Sequence, residues 1–258
     1  MQIHTMKSIL LLLFLLAIKL NAQEIDSNKV EAEAKFEHNL SNPKKFESYI
    51  IPSLFVSYGV ISLGNNAIRD LDFSTKAELS EDHPKFAAHI DDYIEFSPLF
   101  AMYGLDIAGI KSKNKVGDQS AMVLMTTVIT TAVITTLKHQ VHRLRPDGSS
   151  YNSFPSGHTA TAFAAAELFN QEFKGQSPWF GYAGYTIASA TGILRMYNNK
   201  HWLSDVVAGA GFGILSTKLT YVIYPYLKKI FKVNERKLSI APAYQNGSLG
   251  FGLGYKLN

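Results

Sequence analysis

Three short segments of the chain concentrate side chains that bind anions or carry protons: residues 138–146, 155–158 and 195–205. Lysine and arginine carry a fixed positive charge, and the arginine guanidinium can bind a phosphate group through two parallel hydrogen bonds. A histidine close to a carboxylate can act as a nucleophile or as a proton carrier. The combination indicates an anion cradle with its own nucleophile and acid, which are the parts that phosphoryl transfer needs.

His201 and Asp205 are spaced so that they can act together. Positions four apart lie on one face of a helix, so the Asp205 carboxylate is predicted to accept the Nδ1 proton of the imidazole. This contact fixes the tautomer and leaves the Nε2 lone pair free to attack, as in other pairs of a base and its orienting carboxylate. Arg195 precedes an Asn-Asn turn signal and can return to the same pocket, where it would bind an anion.

An apolar helical run is predicted to begin near Thr159, directly after Pro155-Ser156-Gly157. Ser156 and the Gly157 amide would then lie at a helix N-terminus, where backbone N–H groups attract phosphate oxygens. His158 would project from the first turn as a proton donor. On its own the Ser-Gly pair indicates only a helix cap, but Lys138 and Arg145 add two cations to the same set and favour an anion site.

Simpler interpretations exist for several of these residues. Lys138 can be a surface lysine at a helix end, and Arg145 a turn residue before proline, although their spacing to the other segments argues against both. His139 and His142 resemble half of a metal site, but no carboxylates lie at ligand spacing, so we interpret them as rim residues.

Six apolar segments of helix length must position these residues, and each is too long for a strand. They are residues 50–63, 93–110, 120–137, 159–173, 179–194 and 206–227. The polar stretch 69–92 is expected to be a connecting loop with short helical pieces. Near the C-terminus, alternating segments flank Asn246-Gly247, a strong hairpin signal. The predicted fold class is all-α, a helical bundle of about six core helices with an appended C-terminal β-hairpin.

The N-terminus has the pattern of a secretory signal peptide over residues 1–22. An apolar run of about 11 residues is too short to span a bilayer, and small or polar residues follow it up to Ala22. An uncleaved anchor is the alternative, and in either case the chain is expected to leave the cytoplasm. Residues 23–47 predict a surface helix or arm, residues 48–232 the helical-bundle domain, and residues 233–258 the hairpin.

Charged residues decide whether these helices are expected to span a membrane. Residues 120–137 are apolar enough, but segments 93–110 and 159–173 contain acidic residues, and 206–227 contains Lys218. A charge near the bilayer centre costs at least about 2.5–3.5 kcal/mol. We therefore expect a bundle on the outer side of the inner membrane, partly embedded or peripheral, with a soluble periplasmic bundle as the alternative.

The composition of the 258-residue chain narrows the classes of partner. The net charge of +4 suits an anionic substrate or membrane surface, but the basic residues are scattered and form no stripe typical of nucleic-acid binding. The absence of cysteine excludes disulfides, thiolate catalysis and cysteine-based metal sites. We expect a phosphorylated lipid or another phosphate ester and a membrane as partners, and no nucleic acid; the oligomeric state is left open.

Together the three segments resemble the signature of the type 2 phosphatidic acid phosphatase and vanadium haloperoxidase superfamily. The signature is K-x6-R-P, then P-S-G-H, then S-R-x5-H-x3-D. The chain matches it at Lys138, Arg145 and Pro146, at residues 155–158, and at Arg195, His201 and Asp205. Leu194 stands where the signature has serine, which affects local hydrogen bonding rather than the catalytic assignment. Three ordered motifs are far more specific than any one of them.

The resemblance implies a role for each site residue. His201 attacks phosphorus and is held by Asp205, while His158 protonates the leaving oxygen and later activates water. The phosphate oxygens are bound by Lys138, Arg145, Ser156, Gly157 and Arg195. The phosphatase branch requires no metal and no cofactor, whereas vanadate occupies the same cradle in the haloperoxidase branch.

The sequence thus predicts an exported, metal-independent phosphatase that acts through a phosphohistidine intermediate. Its expected substrates are phosphate monoesters or pyrophosphates of lipids, of the lipid A, undecaprenyl diphosphate or phosphatidate type. The alternatives are a soluble non-specific periplasmic acid phosphatase, a vanadate-dependent haloperoxidase, and a non-catalytic envelope protein that binds phosphorylated lipid. The presence of a nucleophile, an acid and an orienting carboxylate argues against the last of these.

Overall fold

The computed structural model describes residues 43–83, 86–230, 238–245 and 248–255. Within these ranges the chain forms eight helices. They are α1 (Pro43–Ile61), α2 (Ala67–Asp82), α3 (Asp91–Ile94), α4 (Ser97–Ile107), α5 (Val116–Val141), α6 (Gly157–Phe173), α7 (Pro178–Tyr197) and α8 (Leu203–Ile230). The predicted all-α class is confirmed for this part of the chain.

α6 is the central helix and packs mainly against α7 and α8. Small side chains such as Ala160 and Ala162 are fully buried on it. α8 approaches α6 through glycines, because a Cβ on Gly209 would lie 2.6 Å from the Ser156 carbonyl oxygen and one on Gly213 would lie 2.2 Å from the Ala160 carbonyl oxygen. Glycine alone permits this approach, which brings the N-terminal ends of α6 and α8 together.

A helix takes the place of most of the loop expected over residues 69–92. Asn66 caps α2, since its side chain accepts hydrogen bonds from the Ile68 and Arg69 amides at 3.0 and 3.2 Å. The helix is largely polar, and the residue that it buries is a carboxylate, Asp72. Apolar periodicity, the primary helix signal, is therefore weak here, and the loop prediction was wrong for residues 69–82.

Four of the six apolar segments predicted as helices lie within helices, segment 50–63 runs two residues past the end of α1, and segment 93–110 is divided. Glu95 and Phe96 separate the short α3 from α4. Pro98 lies at the start of α4, where a missing N–H removes no intrahelical hydrogen bond. With α2 and α3 added, the described part of the chain has eight helices rather than about six.

Two C-terminal segments, Leu238–Gln245 and Ser248–Tyr255, run antiparallel, with Gln245 opposite Ser248. The helical part of the structure does not support the appended hairpin, which stays a prediction. The domain boundaries at residues 22, 47 and 232 also stay predictions. The predicted signal peptide lies outside the described residues, and so does the expected arm up to residue 42. α1 begins at Pro43, before the predicted end of that arm.

Two of the described helices, α5 and α8, are long and apolar enough to cross a membrane. The two helices differ in burial: most of α8 packs inside the bundle, whereas α5 turns most of its apolar surface outward. Leu124 and Val128 on α5 are 67% and 59% exposed, and Phe100 on α4 and Trp179 on α7 are also exposed. Outward apolar side chains on several helices indicate a surface that contacts something other than water.

Candidate active site

The predicted site residues meet at one end of the bundle. Lys138 lies in the last turn of α5, Ser156 caps α6, Arg195 lies in the last turn of α7, and Asp205 lies in the first turn of α8. The Ser156 amide donates to the Asp205 carbonyl oxygen at 3.0 Å, and the His201 amide donates to the Arg195 carbonyl oxygen at 3.4 Å. The second and third motifs are therefore in direct contact.

His201 lies in the turn between α7 and α8 and is 3% exposed. Burial lowers the pKa of its imidazole to about 4; Asp205 opposes this shift, and the charges of Lys138 and Arg195 reinforce it. The ring is therefore neutral at pH 7. A neutral imidazole keeps the nitrogen lone pair that a nucleophile needs.

The hydrogen bond expected between His201 and Asp205 is not formed. Nδ1 of His201 lies 3.8 Å from Asp205 Oδ2, beyond hydrogen-bond distance, and it has no hydrogen-bond partner among the described residues. Asp205 Oδ2 instead accepts from the Ser153 hydroxyl at 2.5 Å and from the Trp202 amide at 3.0 Å. The two residues are neighbours, as their spacing predicted, but the carboxylate is committed to other donors.

Arg143 holds the second oxygen of Asp205. Its Nη1 donates to Asp205 Oδ1 at 2.7 Å and to the Ser204 hydroxyl at 2.8 Å, and its Nη2 donates to Asp72 Oδ2 at 2.6 Å. Asp72 also accepts from the Ser204 amide at 2.8 Å and from its hydroxyl at 2.6 Å. Both carboxylates are fully buried. A buried network of two carboxylates and one guanidinium therefore adjoins His201.

The N-terminus of α6 forms the second wall of the site. Ser156 is fully buried, and its hydroxyl oxygen accepts from the Thr159 amide at 3.4 Å. Gly157 is the first residue of the helix, and a cis Phe154–Pro155 peptide bond precedes it. The predicted cap is confirmed. The amides and dipole at this helix end attract anions.

His158 projects from the first turn of α6, and its side chain is one-third exposed. Its Nε2 lies 2.9 Å from Asp92 Oδ1. Burial and the Arg195 charge lower the pKa of His158, and the contact with Asp92 opposes that shift. His158 therefore exchanges its proton below the usual range of histidine, in a position that solvent and a substrate can reach, which suits a proton carrier.

The charge of Arg195 acts on both histidines. Its Nη1 donates to Asp91 Oδ2 at 2.6 Å and lies 3.5 Å from Asp92 Oδ1. Asp91 is fully buried, whereas the Asp92 side chain is 47% exposed. The Arg195 charge lowers the pKa of both His201 and His158, so the structure brings both predicted catalytic histidines into one electrostatic neighbourhood.

Lys138 and Arg145 complete the cations. Lys138 Nζ donates to the Asn152 carbonyl oxygen, and a Cβ on Gly157 would lie 3.9 Å from Lys138 Cε. The Nε atoms of Arg145 and Arg195 are buried without a hydrogen-bond partner in the described part of the chain. Unpaired buried donors are costly, and an oxyanion bound at this site would supply the missing acceptors.

Glu95 lies close to the same acidic pair but carries no charge at neutral pH. It is 7% exposed. Burial and the neighbouring Asp92 and Asp91 charges raise its pKa to about 8, while Arg195 opposes the shift. Because Glu95 is protonated at pH 7, the negative charge facing Arg195 comes from Asp91 and Asp92.

Four charged residues at the site were missed by sequence reasoning: Asp72, Asp91, Asp92 and Arg143. Arg143 lies inside the first motif segment, and its position two residues before Arg145 is the signal that points to it. The adjacent acids Asp91 and Asp92 stand out just before an apolar segment. Nothing in the sequence of α2 distinguishes Asp72 from its neighbour Asp70, so this residue has no signal of its own.

Comparison with known proteins identifies relatives. The chain is 38% identical over 204 residues, 77% of its length, to a lipid A 1-phosphatase of Porphyromonas gingivalis, of which the match covers 43%. It is 29% identical to a lipid A 1-phosphatase of Rhizobium johnstonii over 44% of this chain and 51% of that protein. The chain therefore spans about half or less of the length of these relatives.

A solved structure, the first transmembrane PAP2 type phosphatidylglycerolphosphate phosphatase from Bacillus subtilis, aligns with a TM-score of 0.47 at 19% identity. The alignment covers 70% of this chain and 97% of that one. The family model of the PAP2 superfamily matches residues 120–229. This range contains all the predicted site residues, so the resemblance seen in the three motifs is confirmed, and residues 120–229 belong to the PAP2 superfamily.

Proposed function

We propose that this chain is a phosphoric ester hydrolase that transfers a phosphoryl group first to His201 and then to water. The observation that carries this proposal is a buried, neutral His201 close to the cations Lys138 and Arg195. A neutral nucleophile beside positive charge suits attack on phosphorus, because the cations neutralise the phosphoryl oxygens. The relatives named as lipid A 1-phosphatases support the reaction class.

In the first proposed step, the Nε2 lone pair of His201 forms a bond to phosphorus. The bond from phosphorus to the leaving oxygen breaks, its electron pair stays on that oxygen, and protonated His158 supplies the proton. Lys138, Arg145 and Arg195 bind the phosphoryl oxygens, and positive charge at these positions stabilises the transition state most when it is already in place.

In the second step, water attacks the phosphorus atom and gives a proton to the now neutral His158. The bond from phosphorus to nitrogen breaks, and its electron pair returns to Nε2 of His201. Ser156 and the Gly157 amide bind phosphoryl oxygens in both steps. Because side chains supply the positive charge, no step is assigned to a metal or a cofactor, and activity is expected to persist in EDTA.

A phosphorylated lipid is the proposed class of substrate. The relatives are named for a lipid substrate, and large apolar side chains such as Phe100, Leu124 and Trp179 face outward from the bundle. A lipid can keep its acyl chains in the membrane while it presents its phosphate to the site. Monoesters or pyrophosphates of the lipid A, undecaprenyl or phosphatidate type fit this description.

Charge distribution supports a site that faces the periplasm. Lys228 near the end of α8 pairs with Asp118 at the start of α5 at 2.8 Å, so these segments share the end of the bundle away from the site. The lysines at that end are Lys111, Lys113, Lys115, Lys174, Lys228 and Lys229. Positive residues favour the cytoplasmic side of membrane proteins, so we propose an exported, membrane-associated protein with α5 embedded and the site outward.

Phosphate release by the wild type and by His201→Ala tests the function. The assay uses purified full-length protein in detergent with lipid A 1-phosphate, undecaprenyl diphosphate, phosphatidate and the soluble ester p-nitrophenyl phosphate. We expect lipid turnover by the wild type and none by the variant. Equal turnover by both proteins would remove His201 as the nucleophile, and no turnover by either would leave a phosphate-binding protein.

The same assay separates the alternative enzymes. Turnover of the soluble ester alone, by protein released without detergent, would favour an acid phosphatase. Halide oxidation that appears only with vanadate would favour a haloperoxidase. Loss of activity in EDTA that added metal restores would contradict the assignment of all steps to side chains.

A further inference from the structure

We infer that Arg143 and Asp72 are positioning residues for His201, which act by fixing the Asp205 carboxylate and its charge. Asp72 lies outside the three motifs of the signature, and Arg143 stands at a variable position of the first. The inference rests on the proposed function, because it concerns how the proposed nucleophile is kept reactive.

Arg143 is the bridge of this network. One guanidinium nitrogen reaches Asp205 at 2.7 Å and Ser204 at 2.8 Å, while the other reaches Asp72 at 2.6 Å. The guanidinium also lies over the Trp202 ring, with Cζ 5.5 Å from the ring centroid. A planar guanidinium can hold two carboxylates on separate nitrogens, which a lysine ammonium cannot do with the same geometry. These contacts leave Arg143 a single orientation.

Burial of these charged groups carries a desolvation cost. Asp72 and Asp205 have fully buried side chains, and one arginine serves both. Well-packed apolar residues often stabilise a protein as much as such buried ions do. The network also lies against a reactive group, since Asp205 Oδ2 is 3.8 Å from His201 Nδ1. Its position beside the nucleophile therefore points to a role in the reaction.

Arg143 competes with His201 for the charge of Asp205. With one carboxylate oxygen paired to Arg143 and the other occupied by Ser153 and Trp202, Asp205 stabilises a protonated His201 less than an unpaired carboxylate would. His201 then remains the neutral nucleophile. A carboxylate that drew the Nδ1 proton strongly would also make the ring a poorer leaving group when the phosphorus–nitrogen bond breaks.

Other charged groups also face His201 and set the background for any pH measurement. Lys138 from α5, Arg195 from α7 and Asp205 from α8 all act on its charge. Asp72 and Lys76 of α2 line a small cavity together with His201. Variants at Arg143 and Asp72 leave the first three of these groups in place, so a change in the pH profile reports on the network.

The test measures kcat and KM for phosphate release across pH in Asp72→Asn/Arg143→Gln. This double variant removes one anion and one cation together, and Asp205 keeps its contacts with Ser153 and Trp202. The acid limb of kcat/KM should move up by on the order of one pH unit, because Asp205 then stabilises protonated His201. We also expect kcat to fall roughly 10- to 100-fold, as for other lost outer-shell partners.

Arg143→Lys separates charge from geometry. Lysine keeps the positive charge near Asp205, so the acid limb should stay close to that of the wild type. It cannot hold both carboxylates and Ser204, so kcat should still fall several-fold. A limb that moves as far in Arg143→Lys as in the double variant would overturn the role given to the Arg143 charge.

Glu167→Gln/Lys218→Met is the matched control. It removes another buried ion pair, at 2.9 Å between α6 and α8, about 15 Å along α6 from its N-terminus. This variant should leave the acid limb in place. An unmoved limb in Asp72→Asn/Arg143→Gln, or an equal shift in the control, would overturn the inference.

Two further measurements keep the outcomes distinct. If the double variant does not fold, Asp72→Asn alone is measured. Without the Asp72 anion, Arg143 neutralises Asp205 more strongly, so the acid limb should move to lower pH. An unmoved limb would overturn the inference. Wild-type rates in His201→Ala would instead contradict the proposed transfer through His201, on which the inference rests.

Discussion

The site contains two arginines that each bind a pair of aspartates, and the two sets differ in how fully they are engaged. Asp72 and Asp205 are fully buried, and the largely buried Arg143 donates to both of them and to Ser204. Arg195 binds the buried Asp91 at 2.6 Å but lies 3.5 Å from Asp92, and its own Nε is unpaired among the described residues. We call the Arg143 set closed, because its groups are bound to one another. We call the Arg195 set open, because Arg195 keeps an unpaired donor that a ligand can bind.

Each histidine lies beside one of these sets, His201 beside that of Arg143 and His158 beside that of Arg195. His201 lies against the closed network and makes no hydrogen bond to its carboxylate neighbour. His158 contacts the half-exposed Asp92 directly, beside the open set. A nucleophile should be neutral and dry, whereas an acid must exchange protons with substrate and water. The donors already bound to a carboxylate therefore decide its effect on a histidine as much as the carboxylate itself does.

Replacement of each histidine by asparagine should have the largest effects and should separate their roles. His201→Asn is expected to lose at least about 10³-fold in rate on every substrate, because no phosphoenzyme forms. His158→Asn is expected to lose roughly 10²- to 10⁴-fold on lipid phosphates. The loss should be much smaller on p-nitrophenyl phosphate, whose leaving group needs no proton.

Initial rates on both substrates measure this difference. The exposed His139→Asn serves as a control for the loss of a histidine at the rim. Equal losses of both histidine variants on both substrates would remove the division into nucleophile and acid.

The pH profile of kcat/KM sharpens the same contrast. On the acid side the rate should fall as His201 becomes protonated, since its pKa is lowered to about 4. On the alkaline side it should fall as His158 loses its proton, and burial places that pKa below the ordinary value of about 6.5. Maximal activity is therefore expected at mildly acidic pH. Rates at subsaturating substrate and constant ionic strength measure the profile, and a maximum above about pH 8 would contradict both assignments.

The surroundings of His201 could be predicted only in part from the sequence. The spacing of His201 and Asp205 predicted their proximity, because four residues make about one helical turn. It did not predict that Arg143 and Ser153 bind the carboxylate instead, since those contacts depend on how the loop before α6 folds back on α8. Asp72 lies 133 positions before Asp205 along the chain, and no local pattern connects them.

The surroundings of His158 were missed for a different reason. Asp91 and Asp92 lie in a polar stretch without periodicity, so local signals predicted a loop and gave no direction to the side chains. Their contacts with Arg195 and His158 arise from packing of distant segments. The motif residues carried the functional prediction because they match the signature at fixed spacings, whereas the residues that contact them follow from the tertiary fold.

Asp92→Asn is expected to have a moderate effect, because it removes one of the two aspartates beside Arg195. Loss of the carboxylate removes one of the two aspartates that raise the pKa of His158, so the alkaline limb of kcat/KM should move to lower pH. Arg195 also loses a competing anion, so KM should fall by about threefold or more, while kcat at neutral pH falls as less His158 is protonated.

A fall in KM together with a fall in kcat is the readout for Asp92. Asp70→Asn, a change to an exposed acid on α2, is the matched control and should alter neither. An unchanged alkaline limb in Asp92→Asn would show that the contact with His158 does not influence its proton.

Glu95→Gln should have the smallest effect, and the effect should depend on pH. The pKa of Glu95 is raised to about 8, so at pH 7 the wild-type side chain is a neutral acid that glutamine resembles in size and charge. Above that pH the wild type gains a third negative charge near Arg195, which opposes phosphate binding, and KM should rise by about two- to threefold. Glu95→Gln should lack this rise while it matches the wild type under acidic conditions. KM measured on both sides of pH 8 tests this, with the exposed Glu81→Gln as control. A difference from the wild type that is the same at all pH values would mean that Glu95 is already ionised at neutral pH, and the open set would then carry three negative charges rather than two.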